Sequence, residues 1–311
     1  MKLLMLVALC VAAAAAAANA AESPRLFLPY DLEARGDAVY VADAVRHQIL
    51  RYDLAFRSVA VFAGTGEPGS SGDGGPASKA RLAEPTELVF DRAGNLYFTD
   101  VNQGRVRRID PRGTITTVAR VRAAAGLSVD PSGRELAIAS IDGFVYRIRL
   151  PTGKLERLAG DGTDRSTGDG GPSTAARLDG PHDVSHDRRG NLLVAELGRV
   201  RRIDAKSGRI ETLLVRPVFK TVPALDGSVY VIAGDPAGGT VTQVDGKGRV
   251  LRLIGTGKLA TDRGSARVDE VGFLPSDVEP IPGGILITQT EPTPAIRRLR
   301  DGSRTLTTVA S

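Results

Sequence analysis

A unit of about 40 residues recurs along this chain, and repeats of that length admit few folds. The clearest copy spans residues 85–119, and a second begins at Pro181. Both carry Asp-x-x-Gly-Asn-Leu, then Arg-Val-Arg-Arg-Ile-Asp, then a closing run rich in β-branched residues. Alternation and turn residues divide the first copy into four short strands, at 87–90, 96–99, 106–110 and 114–118, with Gly94-Asn95 and Arg112-Gly113 as turns. Weaker copies fill the remainder, placing units at 29–63, 85–119, 125–159, 181–215, 219–254 and 275–310. Such a unit cannot bury both its faces alone, but a closed ring of them can. The pattern predicts an all-β, six-bladed β-propeller of four-stranded blades, occupying 21–311 as a single domain. A parallel β-solenoid would need shorter, uniform rungs. No strand is left over to close the ring by exchange between termini, unless residues 24–28 supply one.

A longer period is superimposed on the first. Ala63-Gly64-Thr65-Gly66 recurs as Ala159-Gly160-Asp161-Gly162 and as Ile254-Gly255-Thr256-Gly257, each followed by a long insertion before the next unit. The first two insertions contain Gly-Asp-Gly-Gly-Pro at 72–76 and 168–172, then Ala-Arg-Leu-x-x-Pro at 80–85 and 176–181; the third is degenerate. Pro76 and Pro172 suit the first position of a short helix. Asp73 and Asp169 are expected to cap turns through bonds to backbone N–H groups.

Composition agrees. With 36 glycines and 18 prolines, the chain is built for many short elements joined by turns, which excludes a helix bundle. The net charge of +5 is spread among interleaved acids and bases, so a nucleic-acid partner is not indicated. Lys2, an apolar stretch from Leu3 to Ala18, and Ala18-Asn19-Ala20 read as a signal peptide over 1–20, cleaved to give a periplasmic or secreted protein. Leu9 stands before Cys10 where a lipidation motif needs a small residue. Cleavage would remove the single cysteine, and with it any disulfide or thiolate metal site. No later segment is apolar for 18 residues, so membrane insertion is not expected, and a monomer is.

The Gly-Asp-Gly-Gly-Pro-Ala insertions, the Pro-x-x-Leu/Val-x-x-Asp-x-x-Gly-Asn-Leu run and the Arg-Val-Arg-Arg-Ile-Asp strand resemble the NHL-repeat β-propellers. The resemblance covers residues 29–310 and implies the fold. It does not choose among the binding proteins, lactonases and lyases that such propellers include.

The d-to-a and b-to-c loops of a propeller share one face, and the residue that opens each inner strand lies on that face beside the central channel. Aligning the units there gives Asp31, Glu87, Gly126, Asp183, Lys220 and Asp277, where the resemblance leads one to expect glycine. Asp277, Asp31 and Glu87 fall on adjacent blades, with Asp183 across the channel. Four converging carboxylates suit Ca²⁺ or Mg²⁺, or else each accepts backbone N–H groups at the channel mouth. Asp43, Asp100 and Glu196 end the second strands and are expected to pair across their hairpins with His47, Arg105 and Arg199.

His182 is the candidate catalytic base. A lyase-type zinc site would need further histidines where Tyr30, Thr86, Ala125 and Ser276 stand, and His186 lies about 13 Å along the strand. Lactonases of the gluconolactonase type imply a Glu, an Asn and an Asp around a metal, and the Asn has no counterpart here. No serine triad or phosphate loop is visible. The leading expectation is an exported binding protein that engages a protein, peptide or carbohydrate through its insertion-bearing face. The second is a metal-dependent lactone or ester hydrolase, its substrate admitted between the loops at 64–85, 160–181 and 255–275.

Overall fold

The computed structural model describes residues 29–53, 58–150, 152–235, 238–255, 265–267, 274–291 and 295–310. The expected signal segment and the possible strand at 24–28 lie outside them. Every blade is an antiparallel sheet whose strands follow in chain order from the inside out. The first blade is formed by Pro29–Arg35, Ala38–Asp43, Gln48–Asp53 and Ser58–Ala63, and the second by Pro85–Phe90, Leu96–Asp100, Arg105–Ile109 and Ile115–Arg120. The third comprises Ala124–Val129, Glu135–Ser140, Phe144–Arg149 and Lys154–Ala159, and the fourth Asp183–His186, Leu192–Glu196, Arg199–Ile203 and Ile210–Val215. The fifth comprises Lys220–Pro223, Val229–Asp235, Gly238–Val244 and Val250–Ile254, and the sixth Leu274–Ile281, Gly284–Glu291, Ala295–Arg300 and Thr305–Ala310. The inner strands touch in sequence around the ring, the sixth against the first.

The turns are fixed by short-range chemistry. Asp91 accepts N–H bonds from Asn95 and Asp187 from Asn191, both at 2.9 Å, and Gly94 and Gly190 supply the positive φ the chain needs there. Apolar residues on alternate strand positions then fill one cluster at each blade interface, six around the ring. Leu32, Val39, Val41 and Leu50 of blade one meet Leu286 and Ile296 of blade six. The ring therefore closes between its first and last blades by packing.

The insertions were expected to stand on the d-to-a face. They instead fold across the outer edge of the blade that follows. Gly74 N donates to Ile115 O, Ile115 N to Gly75 O and Ala77 N to Gly113 O, so the first insertion pairs with the outer strand of blade two. The second repeats this on blade four through Gly170, Gly171 and Ser173. From the third, Ser265–Arg267 adds a fifth strand to blade six, against Thr305–Ala310. The short helices are the 3₁₀ turns Ala77–Lys79 and Ser173–Ala175, with Pro76 and Pro172 one position earlier than expected, in extended conformation at the N-cap. Ala80 and Leu82, like Ala176 and Leu178, enter the interface clusters, which explains the Ala-Arg-Leu spacing. Blades two, four and six thus have covered outer edges.

Candidate functional site

The aligned inner-strand residues do meet, and Lys220 is their centre. Its Nζ lies 2.9 Å from Glu87 Oε2 and 3.2 Å from Asp277 Oδ1, and it donates a further bond to Asp31 Oδ1. The lysine reaches from blade five to carboxylates on blades one, two and six, with all four side chains nearly buried. The remaining oxygen of each aspartate is held by the next blade: Leu32 N donates to Asp277 Oδ2 at 3.0 Å, and Leu88 N donates to Asp31 Oδ2. Asp183, across the channel, follows the same rule, accepting Thr221 N at 2.7 Å and Thr221 Oγ1 at 3.0 Å. Inner strands of neighbouring blades have no shared ladder, so these carboxylates satisfy N–H groups that would otherwise face the channel.

Blade three contributes Gly126 to the ring for a steric reason. A Cβ there would stand 2.5 Å from Asp183 Cα and 2.7 Å from Val184 N. A second acidic tier lies two residues further along, where Glu33 Oε1 accepts Phe90 N at 3.1 Å. Burial, reinforced by neighbouring carboxylates, pushes Glu33 and Glu87 up to about 8 and raises Asp277 and Glu279 well above the usual carboxylate range. Burial also raises Asp183, against the opposing pull of Lys220. The surrounding carboxylates overcome the burial of Lys220 and hold its ammonium well above its ordinary value.

His182 is tied down. Its Nδ1 faces Gly180 O at 2.9 Å and its Nε2 faces Val218 O at 2.8 Å, so both ring nitrogens are engaged by carbonyls. His186 bonds Ser128 Oγ at 3.0 Å, and burial lowers it to about 4. Among the described residues, no group of three or more His, Cys, Asp or Glu is arranged to hold a metal ion.

A second buried constellation escaped the sequence reading. Arg107, Arg201 and Arg297 are almost wholly buried, one in the third strand of each even-numbered blade. The equivalent positions in the odd blades hold Leu50, Tyr146 and Thr242. Arg107 donates to Arg81 O and Ser71 O, both at 3.0 Å, and to Asp73 Oδ1 at 2.8 Å. Arg201 likewise takes Asp169, at 2.7 Å, and Thr167 O. Asp73 and Asp169 are therefore partners of buried arginines, a correction to their expected role as turn caps.

The hairpin pairs need a similar correction. Asp100 and Glu196 stand opposite Arg105 and Arg199 in register, but their charges face Arg107, at 3.8 Å, and Arg201, at 3.2 Å. Asp43 stands opposite Gln48, not His47, and accepts Arg46 N at 3.2 Å. Asp100 Oδ1 also takes the N–H groups of Ala83 and Glu84 at 2.8 Å, so carboxylate and guanidinium grip the same insertion from both sides. The signal was in the sequence: arginine occupies this column only in blades that receive an insertion.

Six four-stranded blades around a channel plugged by a lysine–carboxylate hub define the class, a six-bladed β-propeller. Comparison with known proteins takes the identification one step further. The teneurin NHL domain family matches residues 18–152. Teneurin-1 of Caenorhabditis elegans is 29% identical over 160 residues, which is 45% of this chain and 6% of that protein. Among solved structures, virginiamycin B lyase from Staphylococcus aureus superposes with a TM-score of 0.57 at 14% identity, covering 90% of this chain and 83% of that one. A chain of the nidogen/laminin complex gives 0.56 at 15% identity, covering 74% and 80%. At these identities the structures establish the fold alone. The chain is a six-bladed β-propeller similar to the teneurin NHL domain over residues 18–152, and it spans only a small part of the length of the teneurins it matches.

Proposed function

We propose that this chain is an exported binding protein, acting as a monomer, that offers the surface formed by its insertions and d-to-a connections to a protein, peptide or carbohydrate partner. The observation that carries the reading is the pinning of those insertions. Buried Arg107 and Arg201 hold them rigidly to the blades, while their outer residues remain exposed, including the ion pairs Glu67–Arg81 and Asp161–Arg177. Loops held on a stiff scaffold bind with little ordering cost. The channel, in contrast, has its polar groups bonded to one another: Lys220 to three acids, Asp183 to Thr221, and His182 to two carbonyls. A propeller in the nidogen/laminin complex and the likeness to the teneurin NHL domain support an interaction role, and the apolar leader supports export.

The test is a binding screen of the purified protein against immobilised proteins, peptides and glycans, repeated with Glu67→Ala/Arg177→Ala. Loss of a hit in the variant, with folding unchanged, locates the partner on the insertions. Turnover of a lactone or ester by the wild type, abolished in Glu87→Gln, would overturn the reading. It would favour the metal-dependent hydrolase of gluconolactonase type, with Asp31, Glu87, Asp183 and Asp277 as ligands and His182 as base.

A further inference from the structure

The hub has the geometry of a cation site whose cation belongs to the chain. Three carboxylate oxygens, Asp31 Oδ1, Glu87 Oε2 and Asp277 Oδ1, converge from three blades on one point, and Lys220 Nζ stands at that point. The two aspartates are aimed before any cation arrives, because their other oxygens are fixed by Leu88 N and Leu32 N. Asp277 Oδ1 is buried, makes no hydrogen bond, and faces the ammonium at 3.2 Å. Burying three carboxylates at one point is tolerable only with a positive charge among them. A hard oxygen set of this kind is what Ca²⁺ takes, completing its shell with water.

We infer that Lys220 is a tethered cation occupying a divalent-ion site, so that the protein's channel takes no free metal, and that removing the ammonium opens the site to Ca²⁺. The aliphatic stem matters as much as the charge. It descends from blade five and occupies the volume that the ion and its waters would need. Truncation at Cβ clears that volume, and the oxygens, now spread about the ammonium at 2.9 and 3.2 Å from Nζ for Glu87 and Asp277, are free to close by a few tenths of an ångström onto an ion. The ion would then tie together blades six, one and two, where the ring closes by packing. The inference is independent of the binding role proposed above, which concerns the outer loops.

The experiment is a calorimetric titration of wild type and Lys220→Ala with CaCl₂, with thermal unfolding recorded in EDTA and in Ca²⁺. Wild type is expected to show no binding and no shift of Tm with Ca²⁺. Lys220→Ala is expected to unfold at lower temperature in EDTA, to bind about one Ca²⁺ with an affinity on the order of 0.1–1 mM, and to recover part of the lost Tm in Ca²⁺. Ethylammonium chloride, which restores the missing ammonium without the tether, is expected to recover part of it too. Adding Asp31→Asn to Lys220→Ala should abolish the Ca²⁺ response. If Lys220→Ala fails to fold in EDTA, its refolding yield in Ca²⁺ becomes the readout. Tight Ca²⁺ binding by the wild type overturns the inference. So does a variant that neither binds Ca²⁺ nor gains stability or yield from it.

Discussion

Arg107 Nη2 donates to Asp73 Oδ1 at 2.8 Å, joining a fully buried guanidinium to the carboxylate of the insertion that covers its own blade. Arg201 and Asp169 repeat the pair at 2.7 Å, two blades on. The insertion is therefore part of the blade's hydrogen-bonded structure. Removing the arginine would strand the carbonyls of Ser71 and Arg81 and leave Asp100 buried without its counter-charge. Arg107→Leu is expected to lower unfolding free energy by about 3–5 kcal/mol. Arg107→Lys should recover little of it, because an ammonium cannot reproduce the planar fork. Asp73→Asn should cost less, since Asp73 is 42% exposed. Urea titration gives the order. Limited proteolysis should show cleavage within residues 64–84 in Arg107→Leu before the rest of the ring is cut.

Gly126 marks where the ring of inner acids is interrupted. Its missing side chain lets the inner strand of blade four approach to within 2.5 Å of the place a Cβ would take. The obstructing atoms, Asp183 Cα and Val184 N, are backbone and cannot rotate away. Gly126→Ala is expected to cost at least 1–3 kcal/mol, the usual range for overpacking. It should also displace Asp183 from Thr221, which amide exchange at Thr221 would report as faster exchange.

The buried acids give the protein an unusual pH response. Glu33 holds its proton up to about pH 8 in the fold, where burial disfavours its charged form, but releases it near pH 4.5 when the chain is unfolded. Its contribution to stability is complete below pH 4.5 and declines as pH rises toward 8. His186 acts in the opposite direction. Its folded value near 4 lies below its ordinary value of 6.5, so its contribution is complete above pH 6.5 and is lost on acidification toward 4. The urea midpoint should therefore peak in the mildly acidic range and fall between pH 6.5 and 8.5. Glu33→Gln keeps an oxygen for Phe90 N but removes the titration, and should flatten the alkaline side. An unchanged slope in that variant would show that Glu33 does not titrate in this window.

How far these features could be read beforehand differs by residue. The repeat placed the blades within a few residues, because Gly94-Asn95 and Arg112-Gly113 mark turns without help from tertiary contacts. It also put Asp31, Glu87, Gly126, Asp183, Lys220 and Asp277 in one column. What the column could not give was reach: an alignment fixes where strands begin, whereas Lys220 crosses the channel because its stem is long enough and its charge is needed there. Arg107 and Arg201 were hidden differently. The Arg-Val-Arg-Arg-Ile run reads as a solvated edge until the insertion is seen lying over it, and only then does the middle arginine become a buried donor. His182 illustrates the converse, a residue singled out for its chemistry whose two nitrogens serve backbone carbonyls.

The alternation of covered and open edges carries a final consequence. Insertions cover the outer strands of blades two, four and six, leaving Val215 and Val309 exposed at the ends of two of them, and further exposed apolar side chains lie along the outer strands of the other three. Val61 lies on blade one, Leu155 on blade three, and Val250, Leu251 and Leu253 on blade five. The strand Val250–Ile254 is the most apolar of these, with Leu251 57% exposed and Leu253 52% exposed. An unpaired, apolar edge strand is a template for pairing with another chain. Leu251 and Leu253 are about half exposed, and in Leu251→Lys and Leu253→Lys the aliphatic stem can keep covering the same surface, so each should change unfolding free energy by less than about 0.5 kcal/mol. The double variant should raise the concentration at which light scattering first detects self-association. Leu82→Lys, whose side chain the first insertion buries fully between blades one and two, should instead unfold the protein, because a charge placed in that cluster has no solvent to reach.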